Sequence, residues 1–303
     1  MHRFSQKATA LVRAVALALV RVVARAAGSR PVPVWLLVCL RRIVPAEDAL
    51  LPTRKERTGR ASTLRNPFLA SELGSLELGD WSLSPSTIDF IEAVVREGRP
   101  RLILEFGSGV STACFARFMQ ESYPDARRVL VLAIEEDAEQ ARATRARLAA
   151  LGLADLASVV VAPIGNLRVG DREVRCYQLP SLRQLREMVD STKAELVVVD
   201  GPTLGSGGTR DATLVVANEL IAEGAVVLLD DARRDAELRV AKVWRRLPGV
   251  EIGGVHLVGK GLLEARLHRP GPGAVRDGGR GGADPLEPDP RRPRRRRDGA
   301  RGG

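Results

Sequence analysis

A doubly wound α/β sheet, mostly parallel with an antiparallel terminal strand, is the fold class this sequence predicts, and three observations predict it. The stretch Arg101–Thr112, RLILEFGSGVST, reads as a short apolar strand, an acid, and a glycine-rich turn running into a helix. Four more apolar runs follow along the chain, and three of them end in carboxylates. The last part of the domain, Gly249–Val258 and Leu262–His268, is a pair of alternating runs joined by Gly259-Lys260-Gly261, a hairpin signal.

The chain opens on a basic segment. Residues 1–46 hold eight Arg or Lys and no acid. Wound as one helix at about 100° per residue, Arg3–Arg25 gathers Arg3, Lys7, Arg13, Arg21 and Arg25 within an arc of about 120° and leaves a face of Ala, Val and Leu. Such a basic amphipathic helix suits an anionic membrane surface. A second apolar piece, Val32–Leu40, carries Trp35 and is followed by Arg41-Arg42. The arginines interrupt both pieces well short of a transmembrane span, and no clean cleavage region follows for a secretory signal. The other reading of this segment is a helical extension packed on the main domain. Residues 47–80 then read as a lead-in.

The domain proper spans residues 81–268, room for one α/β unit with a sizeable core. In its first unit, Leu102–Leu104 is a buried strand, Gly107 and Gly109 bracket Ser108 in the sharp turn, and Ser111 and Thr112 are expected to cap a helix starting near Ala113. The turn sets free backbone N–H groups at the C-terminal edge of a parallel sheet, where nucleotide-like ligands bind. The next strand, Val129–Ile134, ends in Glu135-Glu136-Asp137 before a helix through Leu151. Glu135, first after the run, is placed to accept hydrogen bonds from a ribose, with Glu136 and Asp137 serving as helix N-terminal charge. Ala157–Pro163 supplies the third strand, with Ile164-Gly165 as its outgoing turn.

The fourth and fifth strands, Leu196–Val199 and Ala225–Leu229, run into Asp200-Gly201-Pro202 and Asp230-Asp231 at the same sheet edge. Carboxylates converging there repel one another unless a cation lies between them. A divalent metal is one answer, and Arg210, Arg233 or Arg234 is another. Between these strands, Pro202–Asp211 holds Gly205, Ser206, Gly207 and Gly208, a loop suited to closing over a substrate. Arg210, at the end of that loop, is a candidate for an anionic substrate group or for Asp200.

The segment Glu105-x-Gly107-x-Gly109-x-Ser111-Thr112 resembles the first motif of class I S-adenosylmethionine-dependent methyltransferases, which have a Rossmann-like sheet. Glu105 sits badly beside a pyrophosphate but well beside the amino group of that cofactor. The resemblance implies that Glu105, Gly107, Ser108, Gly109, Ser111 and Thr112 hold the methionine end, Glu135 the ribose, and Ile164 an apolar wall near the adenine. The strand-Asp and strand-Asp-Asp pairing is similar to that of catechol-type and macrocin-type O-methyltransferases. It implies Mg²⁺ on Asp200, Asp230 and Asp231, with Asp200, Asp230, Asp231 and Arg210 facing the substrate. The chain departs from the catechol-type pattern: Thr203 stands in the slot of the lysine base, and Asp-Asp replaces Asp-Asn. The Asp-Gly-Pro turn followed by an arginine also resembles sugar and polysaccharide methyltransferases, some of which use no metal. The metal therefore stays open.

The expected function is methylation of a hydroxyl of a sugar or small molecule. The alternatives are a nicotinamide-dependent oxidoreductase, disfavoured by Thr112 in place of the third glycine, by Glu105 and by the terminal hairpin, and a catalytically silent domain on a membrane surface or scaffold. Cys39, Cys114 and Cys176 have no metal spacing, which fits a reduced, cytoplasmic compartment, peripheral to the membrane if residues 3–42 touch it. His256 and His268 fall on the two terminal strands as scaffold. The net charge of +10 belongs to the ends. The tail, residues 269–303, holds ten arginines against five acids and lacks the apolar side chains to fold. The middle is left at −3, which disfavours nucleic acid as a specific partner and points to a small-molecule or glycan substrate.

Overall fold

The computed structural model describes residues 30–43, 59–60, 63–74, 77–78, 82–169 and 172–268. The basic helix read over Arg3–Arg25 and the arginine-rich tail lie outside the described residues. Before the main sheet come α1 (Val34–Ile43), β1 (Gly59–Arg60), α2 (Pro67–Glu72) and β2 (Glu77–Leu78), with β1 and β2 paired antiparallel. Helix α3 (Pro85–Gly98) starts where Ser84 accepts the Thr87 N–H and Pro85 fixes the first turn. It stops at Arg99, which takes the left-handed conformation.

Strands and helices then alternate: β3 (Ile103–Phe106), α4 (Val110–Ser122), β4 (Val131–Glu135), α5 (Ala138–Ala150) and β5 (Ala157–Val161). After a two-stranded ribbon, β6 (Ile164–Val169) and β7 (Arg172–Tyr177), come α6 (Leu182–Met188), β8 (Ala194–Val199), α7 (Thr213–Val216), β9 (Ile221–Leu229) and α8 (Asp235–Trp244). The hairpin β10 (Val250–His256) and β11 (Leu262–Leu267) closes the described chain.

The main sheet has seven strands in the order β10-β11-β9-β8-β3-β4-β5. Five are parallel, and β11 inserts antiparallel between β9 and β10. This is the doubly wound, Rossmann-like fold that the sequence predicts, terminal strand included. Period-two alternation divides the core. Leu104, Phe106, Ile134, Val197, Val199 and Leu229 face the side of α6, α8 and the ribbon, whereas Ile103, Val131, Ala133 and Val198 face α3, α4 and α5. Strand order reverses between β3 and β8, so the chain leaves these two strands toward opposite faces of the sheet and a crevice opens at the carboxyl edge.

Two expectations are corrected. Ile164-Gly165 is not an outgoing turn but the start of β6, whose hairpin with β7 stands beside the main sheet. Ser111 and Thr112 do not cap a helix from Ala113, because α4 begins at Val110 and both lie inside it. Of the two readings of the N-terminal segment, the described part packs on the domain. Val32 exchanges hydrogen bonds of 2.8 and 2.7 Å with Val255, covering the sheet's edge strand, and Leu37 is buried. Gly254 permits this approach, since a Cβ there, at φ +140°, would stand 2.6 Å from the Val32 carbonyl oxygen. Among the described residues no helix is long and apolar enough to cross a membrane.

Candidate active site

At the crevice the turn after β3 meets the turn after β8 backbone to backbone. Gly107 has φ +100°, and Phe106 O accepts the N–H groups of both Asp200 and Gly201, at 3.0 and 2.8 Å. A Cβ on Gly201 would lie 2.2 Å from the Tyr177 hydroxyl and 3.1 Å from Gly107 N, so only glycine fits there. The turns frame a cleft of about 780 Å³, bordered among others by Glu105, Gly107–Ser111, Glu135, Ile164 and Asp200.

Glu105 is the penultimate residue of β3, on the face turned toward α4, and is 1% exposed. Ser111 Oγ donates to its Oε1 at 2.6 Å and Thr112 Oγ1 to its Oε2 at 2.7 Å. Burial pushes its pKa up to about 8, against the pull of those two hydroxyls. Thr112 also accepts the Gly109 N–H at 3.0 Å, tying the turn to the first turn of α4. Ser111 and Thr112 therefore clamp the acid, and Thr112 also takes part in capping the helix by accepting the N–H of the N-cap residue Gly109.

Glu135, at the tip of β4, accepts from Ser108 Oγ at 2.7 Å and from Asp137 N at 3.0 Å, and burial raises its pKa. Asp137 caps α5 as expected, accepting from the N–H groups of Glu139 and Gln140. Glu136 does something else. It accepts from the Tyr177 hydroxyl at 3.0 Å and from Thr203 N at 2.8 Å, linking the ribbon to the loop after β8. That loop is fastened a second time where Thr209 N donates to Arg175 O at 2.8 Å, and Ile164 at the foot of the ribbon borders the cleft.

The structure brings Asp200, Asp230 and Asp231 together, one carboxylate oxygen of each lying within 4.8 Å of the others. Asp200 borders the cleft, while Asp230 and Asp231 are buried beneath it at 0 and 2% exposure. Arg210 is buried too and does not reach for a substrate. It donates to the main-chain oxygen of Asp200, contacts Asp200 Oδ1 at 3.6 Å and Asp231 Oδ2 at 3.4 Å, and pairs with Glu237 Oε1 at 3.5 Å. The expectation that Asp230, Asp231 and Arg210 face the substrate is thus corrected. Their side chains are drawn inward because four carboxylates and their counter-ions neutralise one another there.

The sequence reading passed over Lys260. Its Nζ lies 3.2 Å from Asp230 Oδ2 and 3.3 Å from Asp231 Oδ1. Burial works against its charged form, but Asp230, Asp200 and Asp231 outweigh that and raise its pKa. Burial likewise pushes Asp230 up, to about 7, against the pull of Lys260. Asp200 is raised by burial and drawn back by Lys260 and Arg210. Lys260 had registered only as the middle of a turn. Its meaning lies in topology, since β10 runs in the direction of β9 and delivers its turn to the same carboxyl edge. His256 is scaffold as expected, stacked on Phe90 and paired with Glu264 at 2.8 Å.

The fold thus sets an acid under a glycine turn and a second acid at the tip of the next strand along one edge of the cleft. Residues 104–232 match a protein-family model described as a methyltransferase domain. Among solved structures, the chain is similar to cofactor-bound Rv0187 from MTB, at 23% identity over 69% of this chain and 94% of that one, TM-score 0.47. It is also similar to an O-methyltransferase from Bacillus cereus in complex with SAH, at 19% identity over 63% and 84%, TM-score 0.44. A third is the O-methyltransferase TomG from Streptomyces achromogenes, involved in tomaymycin synthesis and bound to SAM, at 20% identity over 62% and 82%, TM-score 0.43. No curated protein matches the chain.

Proposed function

We propose that this chain is an S-adenosylmethionine-dependent O-methyltransferase acting on a sugar or small hydroxylated molecule. The observation that carries the reading is a buried carboxyl, Glu105, bordering the cleft directly under the Gly107–Gly109 turn. A cationic amino group is the natural partner of such an acid, because it supplies the charge that would hold the carboxylate ionised in a dry site. Gly107 and Gly109 keep the turn free of side chains, Glu135 offers its carboxylate to a ribose, and Ile164 offers an apolar surface.

The cofactor supplies an activated methyl group when bound, which leaves the protein to position the two reactants and to manage one proton. Asp200 is the side chain placed for that proton. It is the one carboxylate of the acid cluster that borders the cleft, and burial makes it more basic than an ordinary aspartate. Arg210 holds its main chain and carboxylate in place from behind. Glu136, Tyr177 and Thr203 fasten the loop and the ribbon at the cleft's rim.

Calorimetric titration with S-adenosylmethionine tests the reading. Wild type is expected to bind at micromolar concentration and Glu105→Ala to lose that binding. A folded wild type that fails to bind would remove the reading.

A further inference from the structure

We infer that Lys260 occupies the place a divalent ion would take among Asp200, Asp230 and Asp231, so that this cluster excludes Mg²⁺ and Mn²⁺ and opens to them only when Lys260 is removed. The inference stands on the acid cluster and not on which group the domain transfers.

Chemically the three carboxylates are a hard-oxygen donor set of the kind Mg²⁺ prefers, and their oxygens are close enough to converge on one ion. The space is taken, however. An ion bonded to these oxygens at about 2.1 Å would press against an ammonium group already within 3.3 Å of two of them. Two cations held together in a buried pocket repel strongly, so one of them must leave.

Charge points the same way. The ion pairs described above set four carboxylates (Asp200, Asp230, Asp231, Glu237) against three cations, Arg210, Lys260 and Arg234, the last at 2.8 Å from Asp231. An added divalent ion would turn the pocket net positive. Without Lys260 the deficit is two charges, which one divalent ion restores.

The turn that carries Lys260 is built to deliver it. Gly259 has φ +47° and packs so closely on the start of α3 that a Cβ would lie 2.0 Å from Ser84 Oγ and 2.4 Å from Thr87 Oγ1. Gly261 has φ +90°, and a Cβ there would stand 2.6 Å from Arg233 Cγ. Ala232 N donates to Gly261 O at 2.9 Å and Arg233 N to Lys260 O at 3.3 Å, stitching the turn to the residues just after Asp230-Asp231. Lysine therefore enters the cluster on a rigid support, as a metal ligand would.

The test is Mn²⁺ titration of EDTA-dialysed protein, followed by the electron paramagnetic resonance signal of free Mn²⁺, on wild type, Asp230→Asn, Lys260→Ala and Lys260→Gln. Lys260→Gln removes the same positive charge while keeping part of the stem and a polar end, should Lys260→Ala fail to fold. Wild type is expected to take up no Mn²⁺ that Asp230→Asn abolishes. Either Lys260 variant is expected to gain one equivalent, at least about tenfold tighter than any wild-type binding, and to melt at higher temperature with Mn²⁺ than without. A wild-type equivalent lost in Asp230→Asn would overturn the inference, as would folded Lys260 variants that gain none. Should neither variant fold, the wild-type and Asp230→Asn titrations still decide it.

Discussion

Burial lifts the pKa of Glu105 from 4.5 to about 8, so a protonated carboxyl is the expected form at neutral pH in the cofactor-free protein. An unfolded chain would release that proton near pH 4.5, so between these values the native state binds more protons than the unfolded one. Stability is then full below pH 4.5 and is lost as pH rises toward and through 8. Asp230, raised from 3.8 to about 7, adds to the same slope. Urea unfolding of cofactor-free protein between pH 5 and 9 should show this decline, and Glu105→Gln should flatten it while keeping the part due to Asp230. An unchanged slope in the variant would mean that Glu105 is ionised throughout. Asp200 gives the matching kinetic prediction. If it accepts the substrate proton, the rate on a hydroxylated acceptor found by screening should fall as pH drops through a pKa above the usual carboxylate range. Asp200→Asn should lose that limb and about 10²–10⁴-fold in kcat, with cofactor affinity held. Loss of affinity with an unaltered profile would make Asp200 a binding group instead.

Elements decide which of these side chains meet, and here the sequence is legible in part. Runs such as Leu102–Leu104 and Leu196–Val199 announce buried parallel strands, and the acids at their ends announce the edge where the cleft lies. The ribbon was invisible because Ile164-Gly165 follows β5 so closely that it reads as the end of one strand, not the start of another. Helix α4 hid its start because Ser111 and Thr112 read as caps, whereas Gly109, which has no side chain to announce a cap, holds the N-cap position. Of the two readings of Arg210 the structure shows the pairing with Asp200, and Lys260 was missed because charge pairing depends on which turns share an edge, and that is set by strand order. The hairpin turn makes this testable. Gly259→Ala must push Ser84 or Thr87 aside at the cap of α3, so it should cost about 1–3 kcal/mol in urea unfolding. Gly98→Ala has open space around its Cβ and serves as the control that should cost no more than a few tenths. Equal effects at the two positions would show that the turn yields freely.

At the scale of the whole molecule, charge and packing separate the ends of the chain from the domain between them. The basic excess lies in residues 1–46 and 269–303, while the domain between them is slightly acidic, so the cleft does not owe its chemistry to the ends. Yet the N-terminal side is not merely appended. Val32 pairs with the edge strand β10, and Leu37 joins the core on the α8 face, so the last stretch before the lead-in completes the sheet it precedes. Trp35, half exposed in the same helix, leaves an aromatic on the outer surface where a membrane or partner would meet it. These two residues separate the structural task from the surface task. Leu37→Ala opens a cavity in a packed region and should destabilise the domain by about 2–3 kcal/mol, read as a lower urea midpoint, without altering the affinity for S-adenosylmethionine. Trp35→Ala should leave that midpoint nearly unchanged and, if the segment lies on anionic lipid, weaken sedimentation with phosphatidylserine vesicles. Should Leu37→Ala instead leave stability untouched, residues 30–43 would be a docked arm rather than a part of the fold, and the domain would stand complete from Ser82 onward.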